Sequence, residues 1–330
     1  MNEKHLKLGW GVAVSLFLLC LPYILPTIKV HLAVEILIFA LFAISFNLVL
    51  GALGMLPFGF GAFFGVGAYV AALMCSHIPK VPLTIVLLVG SAAGLIAAAF
   101  VGFFCVRLKG TYFALLTLAF QMFFFAVAMK WREVTNGDDG IIINRPALHL
   151  PELGKLSIMD ITNFYYVILF FVALGILIAY LFLKTPFGNS AICLRENDER
   201  ASFLGYNVFL TKLSVFSLAG LLAGLAGGLF AIFNEFVSTT AIDVNMSFNV
   251  LIMVIVGGTG RFFGPVLGVI FFMIFQDWVS GITNYWMLFC GIIFIAVVLF
   301  LDGGLISLFS PDKIRAWLKL KRAAYGDTEG

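Results

Sequence analysis

Long apolar runs dominate this sequence, and short polar connectors separate them. About ten runs stand out, at roughly Leu8–Leu25, Leu32–Leu50, Leu56–Cys75, Leu83–Val106, Thr111–Met129, Phe164–Leu183, Leu213–Phe233, Met246–Val256, Phe262–Ser280 and Tyr285–Leu301. Most match the roughly 20 residues a helix needs to cross a bilayer. The eighth is too short and reads as a half-helix or a re-entrant piece. The runs are continuous rather than alternating, which excludes a membrane β-barrel. Backbone in hydrocarbon must bond within its own segment, so these runs form helices. The pattern predicts an all-α polytopic membrane protein of about ten membrane segments.

Charge then orients the chain. With the N-terminus inside, fourteen of the 20 Lys and Arg fall in inside connectors, among them Lys4, Lys7, Arg107, Lys109, Arg195, Arg200, Lys212 and Arg261. Six fall outside: Lys29, Lys80, Lys130, Arg132, Arg145 and Lys155. That bias puts both termini on the cytoplasmic side. Hydrophobic residues make up 62% of the chain and only 11% are charged, with a mean hydropathy of +1.09. The net charge of +3 therefore reports topology and not nucleic-acid binding. Lys4 and Lys7 precede an apolar run as in a signal peptide, but no small-x-small cleavage site follows, so the first run is read as a membrane helix.

Few polar groups enter the apolar runs. Glu35 and Asp277 lie near the outer ends of their segments, shallow enough to reach the interface. Asn47 and Gln121 are placed to hydrogen-bond between helices. The chain has no deep carboxylate pair and no His–acid relay, which weighs against a proton-driven carrier. The five Cys form no CxxC pair, and the four His show no metal-ligand spacing, so no metal or disulfide framework is expected. No Walker, GxSxG or HExxH motif is present, so no enzyme activity is expected, and any ATP has to be bound by another chain.

Glycine carries more information. Gly220, Gly224 and Gly228 recur every four residues, as do Gly90/Gly94 and Gly264/Gly268, which puts bare backbone on one helix face for close packing. The run Gly59-Phe60-Gly61-Ala-Phe-Phe-Gly65-Val-Gly67 follows Pro57, and favours a broken helix whose free backbone groups line a transport pathway with Asn47. Its spacing echoes Gly258-x-Gly260-x-Phe262-Phe263-Gly264, and local geometry decides between duplication and coincidence.

The densest charge cluster is Arg195-Glu196-Asn197-Asp198-Glu199-Arg200, followed by Phe203 and Gly205. As a single helix capped by Asn189 or Ser190 and ended by Gly205, it places Leu194, Ala201 and Leu204 on one side. Arg195, Glu196, Glu199 and Arg200 fall on the other, with Glu196 and Arg200 paired four apart and Phe203 projecting among them. An aromatic ringed by charges reads as a docking anchor, and equally as a loop helix lying on the membrane.

These features together resemble one family. Asn47-x-x-x-Gly51, Pro57 through Tyr69, Arg107-Leu-Lys-Gly-Thr-Tyr-Phe-Ala-Leu-Leu-Thr-Leu118, Thr135-Asn-Gly-Asp-Asp-Gly140, Thr185-Pro-Phe-Gly188, Gly257-Gly-Thr-Gly260 and Phe263-Gly-Pro265 resemble motifs of the branched-chain amino acid ABC importer permeases, in order over about Leu32–Leu308. Length and the Arg107–Thr117 stretch resemble the M-type subunit. The chain departs from the family pattern at Phe60 and near Asp302. The resemblance implies residues 1–308 as a transmembrane permease domain, with a cytoplasmic coupling loop at 185–212 and a periplasmic loop at 130–163, and 309–330 as a basic cytoplasmic tail. It also implies a second homologous permease, two cytoplasmic ATPases that use ATP, and a periplasmic solute-binding protein, all at the bacterial inner membrane. Arg195, Glu196, Asp198, Glu199, Arg200, Phe203 and Gly205 would then form the ATPase-coupling element. The alternatives are a permease for urea or short amides and an ion-coupled secondary carrier.

Overall fold

The computed structural model describes residues 18–23, 26–78, 81–143, 161–259, 261–283, 285–300 and 303–309. Most of the first expected segment, part of the expected outer loop, Gly260, Asp302 and nearly all of the basic tail lie outside them.

Prolines and polar caps set where the apolar runs start to wind. Helix α1 (Thr27–Asn47) begins after Pro26 and passes into a π-helical turn, Leu48–Ala52. Residues 54–60 are non-helical, and α2 (Gly61–His77) follows. Helix α3 (Leu83–Cys105) starts after Pro82, and α4 (Thr111–Lys130) leads into the one-turn α5 (Arg132–Thr135) and strand β1 (Ile141–Ile142). Then come α6 (Ile161–Leu183), α7 (Pro186–Glu196), α8 (Asp198–Phe203) and α9 (Val208–Asn234). Strand β2 (Phe236–Val237), α10 (Val244–Gly257), α11 (Gly264–Ser280), α12 (Trp286–Phe300) and a 3₁₀ helix, Leu305–Phe309, complete the described chain. Among the described residues, six helices are long and apolar enough to cross a membrane, and α2 and α11 are shorter apolar helices.

Burial separates centre from rim. The most apolar window of α9 is 78% buried and that of α1 72%, whereas α6 reaches only 22% and turns most of its surface outward. The glycine stripe explains the centre. A Cβ on Gly220 would run into Ala98 and the Gly94 carbonyl, and one on Gly67 into the backbone of Gly224. Helix α9 therefore lies backbone-to-backbone against both α3 and α2, the close approach that small residues allow between membrane helices. Gly268 meets the Met253 carbonyl in the same way, packing α11 on α10.

The helix break falls earlier than the sequence suggests. It occupies residues 54–60, and α2 then runs without interruption through Gly61, Gly65 and Gly67. Pro57 removes an N–H and restricts the residue before it, and Gly54 has a positive φ of 69°. Beyond Phe60, packing of the glycine face stabilises the helix and outweighs the poor helix propensity of glycine. The internal echo is not geometric. Helix α2 starts at Gly61, whereas α11 starts at Gly264, the counterpart of Gly65, one turn later.

Helix α10 has 14 residues, about 21 Å at 1.5 Å per residue, so alone it falls short of a ~30 Å hydrocarbon core. A 3₁₀ turn at Thr239–Ala241 precedes it. At the same end, β1 and β2 pair antiparallel, Ile141 opposite Val237, and Thr239 Oγ1 donates to Asp138 at 3.0 Å. Lys29 and Asp277 form an exposed ion pair at 2.9 Å between the start of α1 and the end of α11. Asp277 thus has a cationic partner. Tyr165 and Tyr166 on α6 donate to the carbonyls of Leu18 and Leu19, which holds the helical residues 18–23 beside α6.

Candidate coupling element and intramembrane polar node

The charged cluster folds as two helices at an angle, not one. Asn197 leaves the helical region, with φ −162° and ψ 109°. Its side chain accepts from the backbone N–H groups of Glu199 (2.9 Å) and Arg200 (3.0 Å), the bonds of an N-cap. The expected Glu196–Arg200 pairing on one continuous helix is therefore lost. Thr185, and not Asn189 or Ser190, caps α7 by accepting from Gly188, with Pro186 in the first turn where its missing N–H costs nothing. Helix α8 ends in a Schellman turn: Tyr206 donates to the Ala201 carbonyl at 3.2 Å, Gly205 to Ser202 at 3.0 Å, and Gly205 has φ +86°.

This geometry divides the cluster into an inner and an outer part. Leu194 and Ala201 are buried, as their spacing predicts. Leu204, expected beside them, is 76% exposed because the helix ends before it, and it joins Phe203 (89%) and Tyr206 in an apolar tip. Glu196, Glu199 and Arg200 are also exposed. Two of the seven candidate residues, the half-buried Asp198 and the exposed Arg195, also bond groups of the membrane helices and their turns. Asp198 accepts from Lys212 at 2.6 Å, with Lys109 at 3.4 Å; the Lys212 side chain is only 6% exposed. Arg195 Nη1 donates to the Gly51 carbonyl oxygen at 2.7 Å. These residues, with Leu53, Gly54, Met55, Leu108 and Gly110, line an open polar cleft of about 440 Å³. Nearby, the Arg107 guanidinium lies between the rings of Phe103 (4.7 Å) and Phe209 (4.9 Å), tying the end of α3 to the start of α9.

The candidate pathway residues gather around a second polar feature. Gln121 on α4 is fully buried and donates to the carbonyls of Ile242 (2.7 Å) and Asp243 (2.9 Å). Ser247 on α10 donates to Gln121 Oε1 at 2.8 Å and accepts from the Gly61 N–H at 2.7 Å. One network thus closes the first turns of α2 and α10 against α4. Gly59 donates to Thr117 Oγ1, and a Cβ there would run into the Thr117 carbonyl. A Cβ on Gly61 would meet Gln121 and Ser247, and one on Gly65 would meet Ile242. Pro57 is buried. Phe60 is buried within an aromatic cluster, with ring centroids 5.3 Å from Phe46, 5.5 Å from Phe63 and 5.8 Å from Phe42. Asn47 donates to the Arg261 carbonyl at 3.3 Å, and its Oδ1 has no hydrogen-bond partner among the described residues. Gln121 bonds between helices, to Ser247, as expected, whereas Asn47 bonds the connector before α11 and not another helix. Thr117, Ser247 and the Asp198–Lys212 pair were not singled out in the sequence, because each lies far along the chain from its partner.

Comparison with known proteins completes the picture. A profile of the family described as "Branched-chain amino acid transport system / permease component" matches residues 29–298. The chain is 29% identical over 335 aligned residues to the high-affinity branched-chain amino acid transport system permease protein LivM of Escherichia coli, covering 95% of this chain and 77% of that protein. It is 28% identical to LivM of Salmonella typhimurium, with 95% and 78% covered. A probable branched-chain amino acid transport permease, LivH of Methanocaldococcus jannaschii, is 26% identical over 80% of this chain and 85% of its own. No solved structure matches significantly. The chain belongs to the permease-component family of branched-chain amino acid transport systems.

Proposed function

We propose that this chain is one permease of an ATP-driven importer for branched-chain amino acids, assembled with a second, homologous permease. Two cytoplasmic ATPases would bind and hydrolyse the ATP, and a periplasmic solute-binding protein would deliver the solute. On this reading the chain crosses a bacterial inner membrane about ten times, with both termini cytoplasmic. Residues 1–308 form the permease and 309–330 a basic tail. The observation that carries the reading is the apolar tip of α8. Phe203, Leu204 and Tyr206 stand exposed beside Glu199 and Arg200, on the side that the Lys and Arg bias makes cytoplasmic. Exposed aromatics with a charged rim suit a protein cleft better than water or headgroups. ATP-driven closure of the ATPases would move this tip, and packed helices would convert the movement into a switch of access.

The polar node supports the same reading. Helices α2 and α10 both start within the bundle, and half-helix ends of this kind surround polar solutes in other transporters. Asn47, Pro57, Gly59, Phe60, Gly61 and Gly65 are the proposed pathway residues, with Gln121 and Ser247 added by their position. The test is uptake of leucine, isoleucine and valine into proteoliposomes holding the full complex. ATP-dependent uptake that needs the binding protein is expected. Uptake by this chain alone under a proton or sodium gradient would overturn the proposal, and urea or amide uptake in its place would overturn the solute.

A further inference from the structure

We infer that Arg195 and Asp198 do not meet the ATPase but are positioning residues, which fasten the coupling element to the α1–α2 break and to the foot of α9. The inference rests on the importer reading above and assigns the route by which movement leaves the element.

Three observations carry it. First, both side chains bond groups of the permease itself, Arg195 from an exposed position in the open cleft and Asp198 from a half-buried one. Asp198 bonds Lys212, whose side chain is 6% exposed at the start of the central helix α9. A nearly buried ammonium needs a counter-charge, so this contact is strongly held. Second, Arg195 bonds a carbonyl with special placement. Gly51 lies in the π-helical turn Leu48–Ala52. A Cβ there would collide with Asn47 and approach the Thr259 carbonyl, so the turn is closely fitted to its surroundings. The Arg195 stem also lies against Gly54, which has φ +69°. Third, Gly51 and Gly61 bound one stretch of backbone. Gly61 is the residue whose N–H bonds Ser247 and so joins the Gln121 network.

The stretch between Gly51 and Gly61 is almost entirely non-helical and contains Pro57. A π-turn next to an unwound segment offers a place where backbone can change conformation without unpacking a whole helix. Arg195 grips its cytoplasmic end, and the intramembrane polar node holds its far end. Asn197 lets α7 and α8 keep separate directions, so the tip beyond Asp198 moves as a lever against the Lys212 contact. Movement of the tip is thereby delivered at two points, Gly51 and Lys212.

The experiment uses the full complex in proteoliposomes with Arg195→Ala, Arg195→Lys and the paired change Asp198→Leu/Lys212→Met. The paired change removes the ion pair without leaving an unpaired buried charge, so it retains the fold where Asp198→Asn alone can lose it. Expected for Arg195→Ala and the paired change are ATPases co-purifying in wild-type stoichiometry, ATP hydrolysis within about twofold of wild type, and a fall of about tenfold or more in solute moved per ATP. Arg195→Lys, which can still donate to Gly51, recovers part of that loss. A second readout labels Met55→Cys in a Cys193→Ser background with a membrane-impermeant maleimide. Its rate changes between nucleotide-free and ATP-bound complexes, and that change disappears with Arg195→Ala. If uptake falls only in proportion to lost ATPase binding, Arg195 and Asp198 are docking residues and the inference is overturned. Unchanged solute per ATP overturns it too. Absence of ATP-driven uptake by the unaltered chain overturns the importer reading itself, and the wild-type control reports that separately.

Discussion

Ser247 donates its hydroxyl to the Gln121 side-chain oxygen at 2.8 Å, joining helices whose contact residues lie 126 positions apart. The bond matters because each partner also holds backbone. Gln121 satisfies two carbonyls before α10, and Ser247 satisfies the first N–H of α2. Two helix starts thereby find hydrogen-bond partners within the protein.

Replacing Gln121 by Leu keeps the volume and removes its three bonds at once, leaving the Gly61 N–H on Ser247. The Ile242 carbonyl and the Ser247 hydroxyl hydrogen then lose their partner, at roughly 1–3 kcal/mol for each group left unpaired, while the Asp243 carbonyl still accepts from the Met246 N–H at 3.0 Å. Ser247→Ala also strands two groups, the Gly61 N–H and Gln121 Oε1, at the same ~1–3 kcal/mol each. We expect unfolding in detergent, followed by tryptophan fluorescence, to show both variants destabilised, with losses within about 1 kcal/mol of each other. A much smaller loss for Ser247→Ala would mean that the Gly61 N–H finds another acceptor.

The glycine stripe gives a contrast within one chain. Gly224 has no room for a side chain, because the Gly90 carbonyl and Gly94 backbone lie against it. Gly291, within α12, has nothing within 4 Å of a Cβ position. Gly224→Val should separate α9 from α3, at ~1–3 kcal/mol or more for overpacking, and lower the yield of monodisperse protein. Gly291→Ala should be neutral or stabilising by up to about 1 kcal/mol, since glycine within a helix is the poorer residue. Size-exclusion profiles after stepwise heating measure both.

Much of this architecture was legible because the bilayer imposes simple rules. The apolar runs marked the helices, and Gly220, Gly224 and Gly228 marked the face on which α9 packs. What the sequence hid was tertiary. Asn197 followed by Asp198 and Glu199 is a readable helix start, yet the surrounding charges made one continuous helix look plausible. Leu204 matched the apolar spacing of Leu194 and Ala201 and was lost from that face only because a Schellman turn intervened. Nothing local to Asp198 shows that Lys212 turns back toward it. The pathway residues read as free backbone beside a solute, and their contacts with Thr117, Gln121 and Ile242 lie too far along the chain for a local pattern to show.

Asp277 tests the rival mechanism. Were this an ion-coupled carrier, a carboxylate near a membrane segment would carry the coupling proton. Here Asp277 is half-exposed and paired to Lys29 at 2.9 Å, and such exposed pairs contribute about 0–1 kcal/mol. Asp277→Asn should leave ATP-driven uptake and its response to external pH unchanged. A loss of uptake together with loss of proton dependence would favour the carrier.

Gly205 turns the chain at the end of α8 with φ +86°, and nothing lies within 4 Å of its missing Cβ. Substitution there costs backbone strain alone, roughly 1–2 kcal/mol for an ordinary residue in this region. Asn tolerates the left-handed conformation better than Val does. Gly205→Val should therefore displace the Phe203 tip and reduce recovery of the ATPases in co-purification, while Gly205→Asn keeps most of it. Equal recovery with both would show that the turn does not hold the tip in place.

Phe203 and Arg195 give the ranking that separates tip from base. Phe203 is 89% exposed and its ring stacks on no aromatic among the described residues, so it is free to supply energy against a partner's surface. Arg195, itself exposed, already donates to the Gly51 carbonyl at 2.7 Å. Central aromatic anchors commonly cost 2 kcal/mol or more on truncation, about a thirtyfold loss of affinity. Phe203→Ala should thus weaken ATPase binding at least about tenfold more than Arg195→Ala, as measured by titrating purified ATPase onto permease in nanodiscs. The reverse order would place the docking surface on the charged base of the element and return Arg195 to the interface.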